Sequence, residues 1–261
     1  MSTERLLLSE KYKAFLRCNA PVEFLEGTTA AGKTTVGLFK FMLKVAESPK
    51  KLHIIAAKDT GTAEKNIINK DLGIIDDFGM LAVYNGNGTK DDKIPHILFH
   101  TSSGDKIVYV MGYGDKKKWQ KALGGQYGCL YIDEINTADI EFVRESSMRC
   151  DYFMATLNPD DPNLDVYKEY INCSRPLPEW EQDTPQEIKE ELKEEPNRMY
   201  IGSFLLTIMQ DFRKKRSSGS SRTRRRGRKS GRIRSRDSGA NQPVWYFRTS
   251  AENSMWSRQN G

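Results

Sequence analysis

From Val22 to Thr35 an apolar stretch (Val22, Phe24, Leu25) runs into Gly27, four residues, and then Gly32-Lys33-Thr34. This is the full phosphate-loop pattern (Walker A). It constrains the fold more than any other feature, because it works only between a buried strand and a helix. Each residue of the loop has a task. The glycines let the backbone N–H groups of Gly27, Thr28, Thr29, Ala30, Ala31, Gly32, Lys33, Thr34 and Thr35 turn toward phosphate oxygens. Lys33 supplies a point charge for the β- and γ-phosphates, and the Thr34 hydroxyl a ligand for Mg²⁺. A helix-forming stretch over residues 34–45 follows, so the phosphate would sit at a helix N-terminus. The spacing therefore predicts a P-loop nucleotide site that takes ATP and Mg²⁺, on an α/β fold.

The rest of the chain supports that class. An N-terminal helix is expected over residues 6–18, and the phosphate-loop helix should stop at Ser48-Pro49. Residues 52–57 form a continuous apolar run, as in a strand buried on both faces. Asp59 caps a helix expected over residues 62–70. Residues 94–99 and 106–111 read as a hairpin, and 164–172 as a helix. The stretch 112–125 gathers four lysines (Lys116, Lys117, Lys118, Lys121) around Trp119 between glycines. It reads either as a loop touching a nucleic-acid backbone or as a solvated loop whose Trp tucks into the domain.

A second chemical centre ends the apolar run 127–132 with Asp133-Glu134. A strand ending in two carboxylates is a Walker B pattern. It carries them to the edge of the sheet where the phosphate loop lies. Asp133 is expected to hold the Mg²⁺ shell and Glu134 to polarise the attacking water. A helix over 138–148 and a strand over 151–156 follow, ending in Thr156-Leu157-Asn158-Pro159. Thr156 and Asn158 are placed to sense a γ-phosphate; otherwise they form an Asx turn before proline.

Composition excludes several classes. The 261 residues contain no run of about 18 apolar positions, so no membrane span is expected. The four cysteines show no paired spacing, which fits reduced thiols in a cytosolic protein. His96 and His100 lack the further ligands that a metal centre needs. The net charge of +6 hides a split. Residues 1–197 carry 25 Lys and Arg against 32 Asp and Glu, whereas residues 198–261 carry 16 against 3.

The three centres, in this order, resemble the ATPase domain of the large terminase subunit of tailed double-stranded DNA phages, over about residues 1–197. The most specific element is Ala155-Thr156-Leu157-Asn158-Pro159-Asp160, which looks like that family's coupling motif. The resemblance implies a RecA-like P-loop fold with an additional strand, in a parallel-rich sheet flanked by helices. It implies ATP hydrolysis that drives viral double-stranded DNA through a homo-oligomeric ring docked on a portal protein. A small terminase subunit would be a partner, the host cytoplasm the location, and a C-terminal nuclease the usual companion domain. Terminases often carry a basic residue inside the phosphate loop, where this chain has Thr28-Thr29-Ala30-Ala31. Arg144 and Arg149 are candidates to supply that charge from elsewhere.

The domain scheme that follows is an ATPase domain over 1–174, a lid or linker over 175–197, and a basic tail over 198–261. The tail holds only Asp211, Asp237 and Glu252, too few carboxylates for a nuclease metal site, so no nuclease is expected. Its Ser/Arg/Gly composition around residues 213–236 cannot build a core, and disorder is expected. Either it is a basic arm that binds DNA, or the reading frame is shifted after Asn197. A one-base shift permits an aromatic run, then Asp-Asn, then Leu-Ser-Glu-Glu, which resembles the family's linker into its nuclease. Two rival functions stand beside the packaging ATPase: a generic or helicase-like P-loop ATPase, and a decayed prophage product without motor function.

Overall fold

The computed structural model describes residues 8–183, 186–191 and 198–201. Its frame is a nine-stranded sheet: β1 (Val22–Glu26), β2 (Leu52–Ala57), β3 (Ala82–Asn85), β4 (His96–Thr101), β5 (Gly104–Gly112), β6 (Tyr127–Ile132), β7 (Cys150–Leu157), β8 (Arg175–Pro176) and β9 (Arg198–Ile201). The order across the sheet is β3-β4-β5-β2-β6-β7-β1-β9-β8. Every neighbouring pair from β5 to β8 is parallel, and the β3-β4-β5 end is antiparallel. β7 lies between the phosphate-loop strand β1 and the Asp-Glu strand β6. That inserted strand is the one the resemblance implies, and the fold is the expected RecA-like P-loop class.

Helices cover both faces, which is why the central strands read as unbroken apolar runs. On one face pack α1 (Glu10–Arg17), α2 (Lys33–Glu47), α3 (Thr60–Ala63) with its π-helical continuation Glu64–Ile68, and α4 (Ile74–Phe78). The other face carries α5 (Lys116–Ala122), α6 (Ile140–Ser147) and the π-helical turn Tyr167–Ile171. α2 shows why it belongs there: Leu38, Phe41, Met42 and Val45 recur at helical spacing and are all buried. The strands feed both cores alternately, Leu25, Ile55, Tyr131 and Met154 to one face and Phe24, Ile54, Leu130 and Phe153 to the other. The short α7 (Gln186–Glu191) lies in the expected lid region.

Several expectations change. Residues 112–125 are not a plain loop: 116–122 form α5, and Trp119 is 2% exposed, edge-on to Phe142 at 5.4 Å. The Trp therefore belongs to the core, while Lys116 pairs with Glu141 at the surface. The hairpin turns at Ser102-Ser103, within the expected connection, with both strands reaching closer to the turn than expected, and β3 joins its edge. The boundary expected after Asn197 also shifts. Arg198–Ile201 is a strand, parallel to β1, with Ile201 buried and the Arg198 guanidinium donating to the Glu169 carbonyl at 2.7 Å. The β-prone sequence Met199-Tyr200-Ile201 meets the open edge of β1, so the expected unstructured tail does not begin at residue 198. Its remainder, and the expected disorder there, lie outside the described residues.

Candidate active site

β1, β2, β6 and β7 run parallel, so all four end on one edge of the sheet. The loop 27–32 leaves β1 at that edge and folds back into α2. Two left-handed residues, Ala30 (φ 63°) and Gly32 (φ 82°), make the turn. Only Gly32 is free of steric cost there. The loop is braced from two sides. Gly27 N–H donates to the Leu157 carbonyl at 3.3 Å, and the Tyr12 hydroxyl of α1 donates to the Ala31 carbonyl. A Cβ on Gly32 would come within 3.0 Å of that same hydroxyl. The N-terminal helix thus packs on the phosphate loop itself.

Lys33 is the first residue of α2 and is 8% exposed. Its Nζ donates to the Gly27 carbonyl at 2.5 Å, the Thr28 carbonyl at 2.9 Å and Asn158 Oδ1 at 3.1 Å. Burial holds its pKa below the ordinary lysine value, while Asp133, Glu134 and Glu26 act in the opposite direction. The amine therefore spans the loop and the end of β7.

Asp133 follows β6 and is buried. Its Oδ1 accepts from Thr156 Oγ1 at 2.6 Å, and lies 3.4 Å from both Thr34 Oγ1 and the Tyr131 hydroxyl. Thr156 thus steers the carboxylate, and Asn158 touches Lys33. A hydroxyl and a carboxylate at that separation form a hard-oxygen pair that would suit Mg²⁺. Among the described residues no group of three or more His, Cys, Asp or Glu side chains is placed to hold a metal ion. His100 Nδ1 sits 2.8 Å from Asp105 Oδ1.

Glu134 adopts φ 52°, a left-handed backbone that a non-glycine residue reaches only at a cost of about 1–2 kcal/mol. The Tyr113 hydroxyl braces the turn, 3.2 Å from the Asp133 carbonyl, 3.3 Å from that of Glu134 and 2.7 Å from Thr137 Oγ1. The turn presents the exposed Glu134 to the cleft. Strained residues of this kind cluster where geometry is functional.

The cleft is a cavity of about 320 Å³ whose walls include Thr29, Ala30, Lys33, Thr34, Asp133, Glu134, Thr156 and Asn158. Every chemical centre expected from sequence therefore meets in one place. Three wall residues were not anticipated: Lys65, Asn66 and Lys70, from the helix after β2 and its end. The signal was present, since a helix that starts at the C-terminal end of a neighbouring parallel strand faces the same edge. Arg144 and Arg149 prove misplaced. Arg144 lies within α6 and Arg149 just before β7, and neither lines the cleft. Arg144 Nε donates to Glu169 at 2.8 Å, and Arg149 pairs with Glu145 at 2.9 Å.

An α/β P-loop fold with one inserted parallel strand defines the class. Within that class, the similar solved structures are phage large terminases. One, from a thermophilic bacteriophage, matches with a TM-score of 0.54 and 18% identity over 74% of this chain and 45% of its own. The same terminase in complex with ATP-gamma-S matches with 0.54 and 17%, over 80% and 48%. The large terminase ATPase domain of a Thermus phage matches with 0.51 and 12%, over 81% and 88%. The chain thus spans about half the length of the whole terminases it matches. No protein-family profile and no curated protein matches the sequence. The chain has the fold of phage large terminase ATPase domains.

Proposed function

We propose that this chain is the ATPase part of a motor that packages viral double-stranded DNA. The carrying observation is the convergence of Lys33, Thr34, Asp133, Glu134 and Asn158 on one cavity, in a fold shared with large terminases. Residues 27–35 would bind the phosphates of ATP, and Thr34 with Asp133 would hold Mg²⁺. That ion, when bound, neutralises phosphate charge. Glu134 stands free at the cleft, with no hydrogen-bond partner for its carboxylate among the described residues, and accepts the proton of the attacking water. Thr156 near the end of β7 and Asn158 just beyond it touch Asp133 and Lys33, which supports their role in coupling hydrolysis to DNA movement.

On the same reading the functional partners are double-stranded DNA, a portal protein, a small terminase subunit and further copies of this chain in a ring, in the cytoplasm of a bacterial host. No described helix is long and apolar enough to cross a membrane. The reading assigns no nuclease activity to this chain, whose residues after 197 hold three carboxylates.

The test is ATP binding and phosphate release by the full chain. Lys33→Ala is expected to abolish binding. Glu134→Gln should keep binding and lose turnover by on the order of 10²-fold. A Glu134→Gln rate equal to that of the parent removes Glu134 from the role of base.

A further inference from the structure

The helix after β2 and its end supply part of the wall of the cleft. It starts as α3, capped by the Asp59 carboxylate, then widens into a π-turn over Glu64–Ile68 that closes with Asn69 N–H donating to the Glu64 carbonyl at 2.9 Å. Turns of this kind recur at functional sites because they re-aim side chains. Here Ile67 and Ile68 stay in the core while Lys65 and Asn66 line the cavity, and Lys70 joins them from the end of the turn.

We propose that Lys70, with Lys65 beside it, is a cis-acting cation of this site that contacts the terminal phosphate of ATP; the proposal rests on the ATP-binding reading above. Charge is the first argument. The ionisable groups lining the cavity are Lys33, Lys65, Lys70, Asp133 and Glu134. Without the two helix lysines the wall is net negative, a poor receptacle for a polyphosphate. With them it is net positive. The phosphate loop cannot supply that charge, since Thr28, Thr29, Ala30 and Ala31 are neutral.

Unspent bonding capacity is the second argument. Lys70 is partly buried, its Nζ 3.4 Å from Thr35 Oγ1. Neither its amine nor that of Lys65 forms an ion pair among the described residues, whereas Lys13, Lys40, Lys44, Lys50 and Lys116 all do. Burial lowers the Lys70 pKa, and Asp133 and Asp77 oppose that shift through space. A lysine held in a polar cavity with no carboxylate bonded to it is available to an anionic ligand. Position assigns the phosphate. The cavity shared by Lys65 and Lys70 also holds Glu134 and Asn158, which the reading above puts at the terminal phosphate.

Calorimetric titration of the full chain with ATP-gamma-S and with ADP, both with Mg²⁺, tests this. Lys70→Ala is expected to weaken ATP-gamma-S binding by about tenfold or more and ADP binding by less than about threefold, because one phosphate distinguishes them. Lys70→Arg keeps the charge and should restore most of the loss. Lys65 is exposed, so Lys65→Glu leaves the core untouched; it should weaken ATP-gamma-S by about tenfold. An unchanged ATP-gamma-S affinity in Lys70→Ala, or an equal loss of both nucleotides, overturns the proposal. If Lys70→Ala does not fold, an unchanged affinity in Lys65→Glu overturns it instead. A parent chain that binds neither nucleotide overturns the ATP reading, and this proposal with it.

Discussion

Glu23→Gln should destabilise the domain more than any active-site change, although Glu23 lies away from the nucleotide cleft. Glu23 of β1 and Lys40 of α2 are almost wholly excluded from water, at 0% and 2% exposed, and their charged atoms lie 2.7 Å apart. The Lys40 ammonium also donates to the Phe15 carbonyl of α1 at 2.7 Å and sits 4.2 Å over the Phe15 ring. Tyr152 of β7 donates to the other Glu23 oxygen at 2.7 Å. Four elements are thus pinned by one buried network. Burial pushes the Lys40 pKa down, and Glu23 is the main group opposing it. An amide at position 23 keeps the shape and the Tyr152 bond but strands the ammonium. Breaking a buried pair costs about 3–5 kcal/mol, a fall in Tm of roughly 6–20 °C for a domain of this size. Lys40 loses its main counter-charge, so its folded pKa drops further below its unfolded value. The variant should therefore regain stability as pH rises toward the unfolded lysine pKa, and be weakest at neutral and acidic pH. Replacing all three polar groups, as Glu23→Leu with Lys40→Met and Tyr152→Phe, should recover most of the loss. Urea unfolding of the full chain from pH 7 to 10 measures both effects. A Glu23→Gln midpoint within about 1 kcal/mol of the parent at pH 7 refutes the reasoning.

Asn158→Ala, placed in a repaired full-length protein, should still hydrolyse some ATP yet package no DNA, since its bond to Lys33 is the contact read as coupling; normal packaging by that variant removes Asn158 from the role. His53 is buried and accepts the Cys129 N–H on Nδ1 at 3.1 Å, and burial pushes its pKa down to about 4. A depressed histidine pKa contributes stability above the unfolded value of about 6.5, and that contribution is lost as pH falls toward 4. Urea midpoints between pH 7 and 4 should show this slope, and a His53→Gln chain should lack it; equal slopes would clear His53. Plasmid incubated with the full chain and Mg²⁺ or Mn²⁺ should stay uncut; linearisation that tracks the protein across column fractions contradicts the absence of a nuclease site. Sequencing the locus across codon 197 tests the frame: a restored frame that ends within a few codons, or encodes no carboxylate-bearing strands, refutes a shift.

The central strands and the cleft were legible because their signals are local. Buried parallel strands read as apolar runs, and Gly27 to Thr35 and Asp133-Glu134 mark the ends of two of them. What escaped notice depends on contacts between distant segments. Helix α5 was hidden because its lysine-rich sequence shows no apolar periodicity, although Trp119 packs edge-on to Phe142. The strand Arg198–Ile201 was hidden by its basic surroundings, since only the open edge of β1 recruits it. The sequence assigned no role to Tyr131, Tyr113 and Tyr12, whose hydroxyls brace Asp133, the Glu134 turn and the phosphate loop. Nothing in a tyrosine's sequence neighbourhood says where its hydroxyl ends. Arg144 and Arg149 were misjudged for the converse reason. They are near Asp133 in sequence, but in the fold Arg144 is turned to Glu169 and Arg149 to Glu145, away from the cleft lining.

The inserted strand explains why the two halves of the site behave as one unit. β7 is hydrogen-bonded to β1 on one side and β6 on the other. Its Thr156 holds the Asp133 carboxylate, and two residues on Asn158 holds the Lys33 amine. The chain just beyond is fixed as well. Asp160 accepts from Asn136 at 2.8 Å, its N–H donates to the Tyr167 hydroxyl at 3.0 Å, and that hydroxyl donates to Glu26 at 2.5 Å. Asn136 follows Glu134 in the adjoining 3₁₀ turn, and Glu26 is the last residue of β1. A phosphate that draws Lys33 away from Asn158 therefore loads the same strand end that orients Asp133 and grips the Glu134 turn. On the ATP reading, Lys33 would exchange Asn158 for a phosphate, a local change among bonded neighbours. That is the form of bistable contact through which packed interiors pass small shifts to distant surfaces.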